Sequence, residues 1–149
     1  MRARWLAAAI ASVALVAALG PSPAHAQKPK RSTAAIRQQL EESVRLQQAA
    51  LGQLASPDIA LKLTLEAYVR LRAGHSDHKL NLAYQNVKNP VDELANPRFE
   101  KARWHLLRAR TILTAPNQVW EERIPWHENV TNHLRASMHQ IELVLAIAF

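Results

Sequence analysis

His75, Ser76, Asp77 and His78 follow one another in the chain. Residues three apart share one side of a helical turn, so two imidazoles with a carboxylate between them could grip one ion. Imidazole nitrogen suits zinc, copper and nickel, and His75, Asp77 and His78 are therefore the candidate ligands for Zn²⁺, Cu²⁺ or Ni²⁺. A closed zinc site takes about four ligands, and this run supplies three. The competing interpretation makes Ser76 and Asp77 a helix cap behind Gly74, flanked by two exposed histidines. The incomplete ligand set favours the cap.

The other histidines are less well arranged. His127, His133 and His139 are spaced by six, which turns a helix by about 600° and spreads the rings around the cylinder. Haem attached through thioethers is excluded because the chain has no Cys. Met138 falls on an apolar stripe and reads as core filler. Non-covalent haem would need His105 with a histidine of the last helix, and nothing in the sequence pre-organises that pair. No cofactor is expected.

Two further clusters bear on binding. Arg98, Lys101, His105 and Arg108 recur at +3, +4 and +3, one face of a helix. Residues 120–127 place Trp120, Trp126 and His127 beside charges and Pro125 in a helix–helix connection. Aromatic residues with charged neighbours on a connection are common at binding surfaces. Trp120, Trp126, His127, Arg98, Lys101 and Arg108 are thus the expected interaction surface. Blander accounts pair the cations with Glu100, Glu121 and Glu122, and fold the indoles over the end of the bundle.

No catalytic residues are assigned. No spacing joins a nucleophile to a base or sets two carboxylates close together. Three glycines form neither a G-x-x-x-x-G-K nor a G-x-G-x-x-G run. The function class that remains is binding or association rather than catalysis, with metal binding through His75, Asp77 and His78 as the alternative.

Helices must position these groups. Ile36, Leu40, Val44, Leu51 and Leu54 predict a first helix from Thr33 that ends between Ala50 and Leu54. Ser56-Pro57-Asp58 is a strong start signal. Leu61, Leu65, Tyr68 and Val69, widened by Ile59, Leu63 and Leu71, predict the buried stripe of a central second helix. Gly74 should stop it, and Ser76 or Asp77 should start a shorter helix carrying Leu80, Tyr84 and Val87. Asn89-Pro90 predicts a loop and Asn96-Pro97 the next start. Phe99, Ala102, Leu106, Ala109 and Leu113 then repeat at +3 and +4. Pro125 starts or kinks the last helix, with Val130, Leu134, Met138, Ile141, Leu145 and Ala148 inward. Residues 141–149 also alternate like a closing barrel strand, but no other strand accompanies them. The expected fold is all-α: an antiparallel, up-and-down four-helix bundle with helices of about 15–20 residues.

The first 26 residues set the expected compartment. Arg2 and Arg4 precede an apolar stretch from Trp5 to Leu19, then Gly20-Pro21-Ser22-Pro23 and Ala24-His25-Ala26. These are the three parts of a secretory signal peptide, with cleavage after Ala26. The organisation read from the sequence is signal peptide 1–26, basic disordered leader 27–32 and helical domain 33–149. Arg2 and Arg4 are the only formal charges removed, so 149 residues at +7 become 123 at +5. No later stretch reaches spanning length. The product is expected in the periplasm or the secreted fraction, with another protein or an anionic envelope component as partner. No nucleic acid and no stable membrane span after cleavage are expected, and self-association is compatible with the apolar C-terminus.

Overall fold

The computed structural model describes residues 32–83, 90–118 and 123–149, without the side chains of 79–83. Among these residues there are four helices and no strand: α1 (Thr33–Leu51), α2 (Pro57–Ala83), α3 (Pro90–Thr114) and α4 (Trp126–Ala148). Each packs on its neighbour in the chain, and α4 closes back on α1. Among the described residues the backbones of diagonal helices do not approach one another, although the His78 ring of α2 reaches Phe149 just past α4; this is a helical bundle around one core. The signal-peptide boundary and leader residues 27–31, together with Tyr84, Val87, Trp120, Glu121 and Glu122, lie outside the described residues.

The ends of α1 follow local chemistry. The Ser32 side chain accepts a hydrogen bond from Ala35 N at 3.2 Å, satisfying one of the free N–H groups of the first turn. The helix stops at Leu51, where the Gly52 N–H donates to the Gln48 carbonyl and the Gln53 N–H to that of Ala50. Pro57 opens α2 as its first residue, with Asp58 complementing the positive end of the helix dipole.

Two predicted breaks do not occur. Gly74 sits in the middle of α2 rather than at its end. A Cβ placed there would come within 2.7 Å of Leu40 Cδ2, so the glycine lets α1 and α2 approach instead of stopping the chain. The separate short helix at Ser76 or Asp77 is accordingly replaced by one helix continuous through His78. Likewise α3 starts at Pro90, not at Asn96-Pro97, and Pro97 lies inside it. Pro90 suits a first helical position, and Asp92 and Glu93 fill the first turn. With these breaks absent, α2 and α3 run to 27 and 25 residues, longer than expected, as is α4 at 23, whereas α1 at 19 has the expected length.

The buried stripe of α2 also differs. Val69 is 61% exposed, Ile59 50% and Leu65 38%, whereas Ala60, Thr64, Ala67, Leu71, Gly74 and His78 face inward. That face runs at +4, +3 and is richer in small residues than the predicted one. Of the predicted stripe Leu71 belongs to it, and Leu61, Leu63 and Tyr68 pack against the core from its margin. Close helix approach selects it, because small side chains let two helices pack near Leu40, Leu46 and Ala50. The α3 stripe Phe99, Ala102, Leu106, Ala109 and Leu113 is buried as predicted. On α4, Val130, Leu134, Met138 and Ile141 are buried, and Leu145 and Ala148 pack against the core from its margin.

Candidate functional site: the α2–α3 cleft and two histidine clusters

The backbones of α2 and α3 pass in opposite directions. Tyr68, His75 and His78 advance along α2, while their partners Arg103, Asn96 and Asp92 recede along α3. Near the middle of this seam lies a cleft of about 300 Å³, lined by Tyr68, Leu71, Arg72, His75, Ser76, Phe99, Glu100 and Arg103. Leu71 and Phe99 are buried and form its floor. The His75 ring stacks on Phe99 with centroids 4.6 Å apart and planes 23° from parallel. Its Nε2 lies 3.3 Å from Asn96 Oδ1. Arg103 Nε donates to the Tyr68 hydroxyl at 3.2 Å, and Nη1 is 3.6 Å from Glu100. The Tyr68 hydroxyl, before Glu100, holds the Arg103 guanidinium more firmly protonated than usual. Arg72 and Ser76 are exposed at the rim. Glu100 offsets the Arg103 charge, so a small planar body carrying an anionic group would be met by Arg72 at the rim of the cleft.

The predicted metal ligands enter different contacts. His75 belongs to the cleft. His78 is buried one turn further on, its Nε2 2.9 Å from Asp92 Oδ1, and its ring lies 5.9 Å from Phe99 and 6.1 Å from Phe149. This ion-pair geometry ties α2 to the first turn of α3. Asp77 is half-buried. Among the described residues no three His, Cys, Asp or Glu side chains gather in a metal-binding group.

A second histidine cluster bridges α3 and α4. His105 Nδ1 and His133 Nδ1 are 3.0 Å apart. At that distance at most one of the two nitrogens carries a proton, because two N–H groups would repel. Trp104 stands edge-on to both rings, at 4.9 Å from His105 and 5.5 Å from His133. Burial, and then the nearby Lys101 charge, hold His105 below the usual histidine range. The sequence names His105 with a last-helix histidine as a pair but offers no register to select His133. Lateral packing of α3 on α4 supplies it.

The expected interaction surface is dispersed. Trp126 is half-buried and packs against the core, with the exposed His127 ring edge-on to it at 5.8 Å. Lys101 is exposed, whereas Arg98 and Arg108 are half-buried. Trp120 lies outside the described residues. The sequence pass missed the cleft because Arg72, Arg103 and Tyr68 come from two helices. Only the Tyr68-x-x-x-Arg72 spacing hinted that a hydroxyl and a cation share one helix face.

Compared with family models, curated proteins and solved structures, the chain matches none of them.

Proposed function

We propose that the chain is an exported, up-and-down helical bundle that acts by binding, and that the α2–α3 cleft is its binding site. The arrangement of Arg72 and Arg103 over the Leu71–Phe99 floor, with His75 stacked beside it, carries this reading. The signal-type leader supports export. Small-molecule sites combine an apolar wall with a few convergent polar groups, typically in roughly 300–1,000 Å³, so the cleft suits a ligand of single-ring size. An aromatic carboxylate fits that description: its ring would lie against the half-buried His75 ring, which is backed by Phe99, and its oxygens towards Arg72.

The tryptophan surface is less well supported as one patch. In an antiparallel bundle the His105–His133 contact fixes the register of α3 against α4. Trp126 and His127 then lie about 15–20 Å along the axis from Lys101 and Arg98, at 1.5 Å per residue. One compact partner site does not gather them.

Saturation-transfer NMR with millimolar benzoate tests the cleft. Wild-type protein should transfer saturation to the benzoate ring, and Arg72→Glu or Ser76→Trp should abolish the signal. Trp126→Ala should leave it in place. No transfer to benzoate, or transfer that survives both cleft substitutions, would sink the reading.

A further inference from the structure

We propose that His105 and His133 form a two-histidine site for a tetragonal divalent cation, Cu²⁺ above all, clipped across α3 and α4. Four observations combine.

The first is spacing. Imidazole nitrogens bind such ions at about 2.0–2.1 Å, and two cis ligands at roughly 90° then stand about 2.9 Å apart. The Nδ1 atoms are already 3.0 Å apart, so neither backbone has to move. While the rings share a proton, each lone pair points along the N–N line. To reach a common ion each must swing by roughly 45°, which follows from the same bond length. Both rings are half-buried, and a ring rotation of this size does not require the core to open.

Ligand type is the second. Two imidazoles suit copper, nickel and zinc, and the affinity order along the first-row series places Cu²⁺ highest. Among the described residues no third His, Cys, Asp or Glu joins the pair, so water completes the coordination. That arrangement fits a tetragonal ion with open positions better than a closed tetrahedral site.

Third, the pair is within reach of solvent: His105 and His133 are half-buried rather than sealed in the core, so an ion can arrive with water still bound to it. Lys101 repels a cation, but it is exposed and water screens its charge.

The last observation is Trp104, which lies edge-on to both rings. An open-shell ion held there sits within a few ångströms of an indole, so binding reports itself through fluorescence. The site is independent of the cleft, which lies between α2 and α3.

The experiment is a titration of the full chain with CuCl₂, read by tryptophan fluorescence and calorimetry. One equivalent should quench part of the emission, and ZnCl₂ should bind more weakly. His105→Ala and His133→Ala should each weaken Cu²⁺ binding at least tenfold while helix content by circular dichroism is retained. If either variant loses its helix signal, the other decides. Trp104→Phe should keep the calorimetric affinity and lose the quenching. His127→Ala, whose ring stands against Trp126, should change neither. Copper affinity within twofold of wild type in the folded histidine variants overturns the proposal. So does quenching that disappears with His127 instead.

Discussion

At Gly74 a Cβ would meet Leu40 Cδ2 at 2.7 Å and Cγ at 3.2 Å. Leu40 is fully buried, so its side chain cannot move aside into solvent. Two effects oppose each other in Gly74→Ala. Alanine favours the helix by about 1 kcal/mol, whereas an extra methyl in a packed seam costs about 1–3 kcal/mol. The packing term wins, and urea denaturation of Gly74→Ala should show a loss of about 1 kcal/mol. In a Leu40→Ala background the clash is gone. There the same substitution should gain about 1 kcal/mol, and the double-mutant cycle should expose the coupling. A Gly74→Ala protein more stable than wild type would mean that α1 and α2 do not approach this closely. The neighbouring polar contacts follow the same seam: buried Ser43 donates to the Ala67 carbonyl at 2.8 Å, and Gln47 Nε2 reaches Ser43 Oγ.

Individual helices show where local signals yield to packing. Within α3, Pro97 cannot donate a hydrogen bond and crowds the preceding turn. The segment before it stays helical because Ala95 and Phe99 are buried on either side and Asp92 reaches His78. Asn96, a ready cap residue, spends its side chain on His75 instead. Replacing Pro97 with Ala should restore the missing bond and raise stability by about 1–2 kcal/mol. That is less than the full penalty of an internal proline, because the freer unfolded chain offsets part of the gain. Thermal unfolding measures it, and an unchanged or lower midpoint would show that residues 90–96 do not continue the helix. Periodicity made the α3 and α4 cores legible, since Leu106, Leu134 and their companions are large and regularly spaced. On α2 it was right only in part: Leu71 is buried and Leu61, Leu63 and Tyr68 pack against the core, while the rest of the predicted stripe is exposed. The large residues Ile59, Leu65 and Val69 carry the hydrophobic signal there, but the inward face is Ala60, Thr64, Ala67 and Gly74. Small residues allow close approach without announcing it in a hydropathy pattern. The histidine runs were legible as residue types but not as partners, because Asp92, Asn96, Phe99 and His133 come from other helices.

For the whole molecule the decisive feature is that each helix packs on the next one in sequence. Among the described residues, the seam between α4 and α1 is the helix pairing that joins distant parts of the chain. Reaching a partner across a short connection costs little loop entropy, and topologies rich in local contacts fold in microseconds to milliseconds. Stopped-flow refolding monitored by tryptophan fluorescence should therefore show a major phase in milliseconds or faster. A dominant phase of seconds would mean that the α4–α1 closure limits the rate. The same sequential packing gives the bundle a direction of assembly. The α1–α2 and α3–α4 hairpins can each form as local units, and the His78–Asp92 bond joins the second helix to the third. A chain emerging residue by residue from a ribosome could thus begin to settle before its last helix arrives.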